Sequence, residues 1–229
     1  MSETHKNVNK NEFFLWGPFL YKTTITEEQR LKLLSQGKEL KTDYRHTLAG
    51  KIDKELGFDD AKRVEWEKEL LPIVNEYLTN LIIDFQNRNP EETKMLNDCS
   101  VSLQSLWINY QQKGEYNPIH DHSGDISFVI YLNVPGELGL EKAKHNGPPN
   151  GSISWEYGSR SSLYPRFFNS TTKIRDFLQP TCMVTTMPLD GEIYMFPSYL
   201  RHYVQSFETE GVERISVSGN FTLEERQQQ

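Results

Sequence analysis

His120 and His122 flank Asp121 in the stretch GEYNPIHDHSGDISFVIYLNVP, residues 114–135, just ahead of an alternating apolar run. Residues two apart on a strand point to the same side. The two imidazoles can therefore converge on one transition-metal ion, for which neutral imidazole nitrogen is a common ligand. Two ligands are too few, and a polar surface turn has the same composition. A metal site needs a third ligand distant in the sequence and a nearby group that holds a second molecule. Of the other histidines, His5 lies in a polar tail, His46 in the polar stretch TDYRHT, and His145 in a segment rich in Lys, Gly and Pro. His202 differs. It follows DGEIYMFPSYLR, in which Asp190-Gly191 marks a tight turn and Ile193 to Phe196 a strand, and it precedes Val204 in another β-like run. A histidine in such a place is either structural or a ligand. Further along, Arg214 and Ser216 stand two apart in ERISVSGNFTL.

Strands must hold these positions. From Ser100 onward, short β-like runs separated by Gly, Pro, Asn and Asp predict strands near 101–112, 117–122, 125–134, 180–187, 192–197, 201–208 and 213–223. A further short strand, Ser152 to Tyr157, falls within a long Gly-, Pro-, Ser- and Lys-rich segment between Gly136 and Pro180. So long a loop in a compact domain is functional or disordered. Alternation in the last strand puts Arg214, Ser216, Ser218 and Asn220 on one face and Ile215, Val217, Gly219 and Phe221 on the other. The polar face meets either water or the interior of a ligand-holding barrel whose apolar outside is covered by helices. Trp107, Asn109 and Gln111 likewise share a face opposite Ile108 and Tyr110. Upstream, residues 1–12 form a polar tail, and FFLWGPFLYKTTI reads as a strand broken at Gly17-Pro18. A helix is expected over 26–39, starting at Thr26. A second begins at Asp59 or Asp60, repeats Trp66, Leu70, Ile73, Val74, Tyr77, Leu78, Leu81 and Ile82 at helical spacing to about Asn87, and ends at Asn89-Pro90. Two helices followed by many short strands predict a mainly β chain with N-terminal helices packed on the outside of a sandwich or barrel.

An H-x-(D/E)-like pair, a late histidine and an R-x-S beyond it together resemble the iron(II)- and 2-oxoglutarate-dependent oxygenases. The likeness is closest to a branch of that superfamily common in phages and marine bacteria. The residues carrying it are Trp107, Asn109, Gly114, Tyr116-Asn117, His120, His122, Tyr131-Leu132, Val134-Pro135, Phe196-Pro197-Ser198, Leu200, His202, Val204 and Glu213-Arg214-Ile215-Ser216, over about residues 100–222. The resemblance implies a double-stranded β-helix, or jelly roll. It would be one domain over 1–229, with a tail at 1–12, a helical support region at 13–98 and a jelly-roll core at 99–229 that carries the long loop 136–180. It implies Fe(II), 2-oxoglutarate and O2 as cofactor and cosubstrates, with oxidative decarboxylation to succinate and carbon dioxide coupled to hydroxylation. It also implies roles. His120, His122 and His202 would bind the metal, Arg214 and Ser216 would hold the distal carboxylate of 2-oxoglutarate, and Asn109 and Tyr116 are lesser cosubstrate contacts. The guanidinium fork suits a carboxylate because it offers two parallel hydrogen bonds. The usual triad, however, has a carboxylate where this chain has His122. Asp121 points away from His120 on a strand. Asp125 follows Ser123-Gly124, a pair able to curl back toward the metal, and is the rival second ligand.

At 229 residues, with 36% hydrophobic and 12% aromatic content, the chain has enough apolar mass for one packed core. A net charge of -7 argues against a broad phosphate-tracking surface, so nucleic acid is not the expected partner. Two cysteines form no disulfide framework, and a cytoplasmic, reducing setting, in a host cell if phage-encoded, is the expectation. The N-terminus lacks the apolar core of a signal peptide, and no run reaches the ~18 apolar residues of a membrane span. The substrate is expected to be a small molecule or peptide. Trp155, Tyr157, Arg160, Tyr164, Arg166, Phe167 and Phe168 either grip it or pack among themselves. Two other classes stay open: a cupin-like three-histidine metalloenzyme that does not use 2-oxoglutarate, and a non-catalytic jelly-roll binding module.

Overall fold

Thr26 opens the first helix as the sequence requires, with Gln29 as its reciprocal partner. Its Oγ1 accepts from the Gln29 backbone N–H at 3.1 Å, and the Gln29 side-chain oxygen accepts from the Thr26 backbone N–H at 3.0 Å. The computed structural model describes residues 17–86, 99–140, 148–158 and 183–225. In chain order these form β1 (Tyr21–Thr24), α1 (Glu27–Glu39), β2 (Thr42–Asp43), β3 (Glu55–Gly57), α2 (Asp60–Gln86), β4 (Cys99–Gln111), β5 (Asn117–His120), β6 (Ile126–Asn133), β7 (Ile153–Glu156), β8 (Met183–Thr186), β9 (Glu192–Pro197), β10 (Arg201–Val204) and β11 (Arg214–Glu225).

The strands make two antiparallel sheets. The larger has the order β1-β9-β6-β11-β4-β3-β2, and the smaller β5-β10-β7-β8. The two faces of the larger sheet do different work. On the outside, Leu103 and Ile108 of β4, Phe128 and Ile130 of β6, and Val217 and Phe221 of β11 pack against Leu33 of α1 and Trp66, Leu70 and Val74 of α2. Contact there is close: a Cβ on Gly37 of α1 would lie 2.5 Å from Ile108 Cδ1. On the inside, Val129 and Tyr131 of β6 and Tyr194 and Phe196 of β9 meet Ile153, Trp155 and Val204 of the smaller sheet. β6 is buried on both faces, so its stretch from Phe128 to Leu132 is an unbroken apolar run. Two facing sheets with helices against the outside of the larger one form the double-stranded β-helix expected from the motifs. Among the described residues, no helix is long and apolar enough to cross a membrane.

The region before residue 99 contributes more than helices. β1 pairs with β9 along its length, and β3 pairs with β4, setting Glu55 opposite Asn109 and Gly57 opposite Trp107. Three residues are too few to show an alternation, so β3 left no pattern to read. Of the loop expected over 136–180, residues 136–140 and 148–158 are described. There Trp155 is buried in the barrel wall and Tyr157 is half exposed. Arg160, Tyr164, Arg166, Phe167 and Phe168 lie outside the described residues, as do His5, His145 and Cys182.

Candidate functional site

The polar faces of β4 and β11 adjoin. Ladder pairing sets Gln111 opposite Arg214, Asn109 opposite Ser216 and Trp107 opposite Ser218. All six side chains line one cavity between the two sheets. The polar stripe of β11 therefore faces inward. Its far end is occupied by protein: Asn220 accepts from Ser127 Oγ at 2.7 Å and donates to Ser105 Oγ at 2.9 Å.

Three histidines line the same cavity. His120 of β5 lies directly opposite His202 of β10. His122 follows the end of β5 and is held by its backbone N–H, which donates to Ser198 O at 3.0 Å. One ligand nitrogen from each of the three can be chosen so that all lie within 4.8 Å of one another. The ring centroids of His120 and His202 are 4.3 Å apart, and His122 lies 4.9 and 5.0 Å from them. His120 Nδ1 approaches Pro118 O at 2.7 Å and His202 Nδ1 approaches Leu200 O at 3.0 Å. A carbonyl only accepts, so each Nδ1 is the protonated nitrogen and each Nε2 keeps a free lone pair, the arrangement common in metal-bound histidines. Burial lowers all three pKa values. His122 falls to about 4 and His202 to about 3, with the neighbouring histidines lowering them further, and His120 is also lowered. At neutral pH the cluster is a set of neutral nitrogen donors. Converging free lone pairs without protons fit an iron(II)-type ion.

Asp125 is elsewhere. Gly124 does turn sharply, at a φ of 90°. The turn carries the exposed Asp125 back onto β11, where its Oδ2 accepts from the Leu223 backbone N–H at 2.7 Å. Asp121 is exposed on the cavity rim. Neither carboxylate belongs to the cluster of converging ligand atoms.

Arg214 is 3% exposed. Its Nη1 donates to Gly151 O at 2.5 Å, its Nη2 donates to Gln111 Oε1, and its Nε has no partner. Among the described residues no carboxylate pairs with it, and burial lowers its pKa from the ordinary arginine value. The guanidinium sits 5.6 Å from the centroid of the Tyr131 ring. The Tyr131 hydroxyl is also buried without a partner, and burial pushes its pKa up to about 12, so it stays a donor. A buried guanidinium with no anion is costly. Beside an unpartnered phenol, it fits the carboxylate of a 2-oxoglutarate.

Of the other anticipated contacts, Asn109 and Ser216 are in the cavity wall, joined by Asn109 Nδ2 donating to Ser216 Oγ at 3.3 Å. Tyr116 is not: it is 40% exposed and lines a separate open groove with Pro118 and Tyr203. Reading the sequence alone missed four features of the wall. These are Tyr131, Glu55, Asn117, and the segment from Thr47 to Ile52 that reaches over the cavity from between β2 and β3. Asn117 had a signal, since it sits within the Tyr116-Asn117 motif. Glu55 had none, because KIDKELGFDD presents it as one charge among several.

The sequence model of a family described as "Putative 2OG-Fe(II) oxygenase" matches residues 105–220. No curated protein matches the chain. Among solved structures, the chain is similar to an oxidoreductase of the 2OG-Fe(II) oxygenase family from Burkholderia pseudomallei, at 14% identity and a TM-score of 0.35, over 54% of this chain and 45% of that one. It thus spans under half the length of that protein. It is also similar to a prolyl-4-hydroxylase from Pseudomonas putida, at 13% identity and a TM-score of 0.49, over 89% and 91% of the two chains. A third is HygX from Streptomyces hygroscopicus, solved with nickel, 2-oxoglutarate and hygromycin B bound, at 12% identity and a TM-score of 0.46, over 90% and 82%.

Proposed function

Because the chain belongs to the 2OG-Fe(II) oxygenase family, we propose that it hydroxylates a small-molecule or peptide substrate with iron(II), 2-oxoglutarate and dioxygen. When bound, the iron and its cosubstrates supply the oxidation, in which 2-oxoglutarate becomes succinate and carbon dioxide and a substrate C–H bond becomes C–OH. His120, His122 and His202 would hold the metal, His120 and His202 through the Nε2 atoms that their Nδ1 contacts leave free. The carbonyls of Pro118 and Leu200 fix the tautomers and ring orientations of His120 and His202. Arg214 holds the distal carboxylate of 2-oxoglutarate, with the hydroxyls of Ser216 and Tyr131 as further donors. Phe196 packs at 4.8 Å on His202, and Trp107 at 5.7 Å on His122, which keeps the rings in place and water from their flanks.

The observation that carries this reading is the pairing of three converging neutral imidazoles with a buried, anion-free guanidinium in one cavity. The all-histidine set also suits a cupin-like metalloenzyme that does without 2-oxoglutarate; Arg214 is what such an enzyme would not need. Anaerobic titration with iron(II) and then 2-oxoglutarate tests both readings. The oxygenase gives a weak metal-to-ligand charge-transfer band on addition of 2-oxoglutarate and, once air is admitted, releases succinate. Iron binding without that band would favour the cupin-like reading.

A further inference from the structure

Donors and acceptors are segregated across the cavity. On the β11 side the unpartnered polar atoms are donors, Arg214 Nε and the Tyr131 hydroxyl. On the β3 side they are acceptors, Glu55 Oε2 and Asn117 Oδ1, with Asn109 Oδ1 beside them across the β3–β4 ladder. Glu55 is 1% exposed. Its orientation follows from register. Glu55 lies opposite Asn109, so it shares the inward face of Trp107, Asn109 and Gln111. Glu55 and Asn117 converge at Gly50: a Cβ there would lie 2.5 Å from Asn117 Oδ1 and 2.8 and 3.2 Å from the two Glu55 carboxylate oxygens.

2-Oxoglutarate carries two carboxylates and a ketone and has no hydrogen to donate, so it cannot satisfy this wall. A donor satisfies it, and a cationic donor also offsets the charge of a buried carboxylate. Among the described residues no cation forms an ion pair with Glu55. Arg45, the cation whose field reaches it, is already committed to Asp43 by bonds of 2.7 and 3.0 Å. Asp43 and Glu115 add negative potential around Glu55, and Glu115 itself is capped by the backbone N–H groups of Asp53 and Gln112. Burial, then Glu115, push the Glu55 carboxyl up to about 7, so an arriving cation finds a group readily ionised at neutral pH.

We infer that Glu55 and Asn117, meeting over Gly50, form a subsite for a cationic side-chain nitrogen of the substrate, an ammonium or a guanidinium. The inference rests on the oxygenase reading in that the opposite wall is given to 2-oxoglutarate. The same basic side chain can belong to a free amino acid or to a residue within a peptide.

Calorimetry decides it, on the metal-free chain and on the chain loaded anaerobically with iron(II) and 2-oxoglutarate. The probes are L-lysine, L-arginine and N-acetylated, C-amidated tripeptides centred on either residue, each beside a counterpart whose side chain is uncharged, built on norleucine or citrulline. At least one cationic probe should bind, and its counterpart should bind about ten- to a hundredfold more weakly, as expected when a charged hydrogen bond is lost. The format that binds, free amino acid or blocked peptide, identifies the source. Glu55→Gln keeps the shape and hydrogen-bonding capacity but removes the charge, and should cause the same loss. Gly50→Ala alters neither polar side chain but displaces both from their meeting point, and should also weaken binding. Both variants should retain the charge-transfer band with iron(II) and 2-oxoglutarate. Binding of no cationic probe, equal binding of the counterparts, or full binding by Glu55→Gln would each overturn the subsite. An absent band in the parent chain would instead overturn the oxygenase reading.

Discussion

His122→Ala should weaken iron(II) binding by more than about 100-fold, beyond the usual effect of losing a residue that merely supports a ligand. Asp125→Ala should leave iron binding within about twofold and lower stability by roughly 0.5–1.5 kcal/mol, because its carboxylate bonds to the Leu223 backbone rather than facing the histidines. Metal titration and denaturant unfolding of the two variants check this. Loss of iron in Asp125→Ala would restore the two-histidine, one-carboxylate triad. Arg214→Lys should weaken 2-oxoglutarate moderately, because the charge remains while the fork is lost. Arg214→Ala should weaken it more, on the order of 3–5 kcal/mol, leaving a carboxylate buried without its partner. Iron affinity should change little in either variant, and the charge-transfer band measures both quantities. At this scale the sequence speaks through residue types with few alternative uses. His120, His122, His202 and Arg214 stood out as candidates, and the fold brings them to one cavity. Glu55 could not stand out, since nothing local distinguishes a buried glutamate from its exposed neighbours. Tyr116 is the reverse case: a motif position whose side chain the fold turns outward.

β4 and β11 carry two functions on opposite faces, and the period of two keeps them apart. Their outer faces bury against α1 and α2, while their inner faces line the cavity. Leu70→Ala on α2 should therefore cost roughly 2–5 kcal/mol by denaturant unfolding, since Leu70 is fully buried against the outer face. At temperatures well below the melting point, iron and 2-oxoglutarate affinities of the same variant should be nearly unchanged. A parallel loss of both would mean that the inner face is not independently positioned. This two-faced pattern is why most of the fold was legible. Arg214, Ser216 and Ser218 alternate with Ile215, Val217 and Gly219 over enough residues to define a strand and both its environments. β2 and β3 are too short for any periodicity, and the pairing of β3 with β4 is a tertiary event between segments separated by the whole of α2.

Across the whole molecule, two opposing titrations shape stability in the metal-free chain. His120, His122 and His202 have lowered pKa values, so their contribution is complete above about pH 6.5 and is lost as pH falls toward about 4 for His122 and about 3 for His202. Glu55 is raised, so its contribution is present below about pH 4.5 and is lost as pH rises toward about 7. Three histidines outweigh one glutamate, so the melting temperature should fall between pH 6.5 and 4.5. The fall should be steeper in Glu55→Gln, where the opposing term is gone. A flat profile in the parent chain would mean that the histidines are not shielded from protons. The stretch that reaches over the cavity between β2 and β3 has a different bearing. No residue from Arg45 to Lys51 is buried, yet Thr47, Leu48, Ala49 and Gly50 form part of the cavity wall. Substitutions there touch neither the core nor the three histidines. Replacing Thr47 or Ala49 should therefore reshape the cavity mouth at little cost in stability, with iron and 2-oxoglutarate affinities nearly unchanged by titration: the rim is the part of this barrel that can be redrawn without rebuilding it.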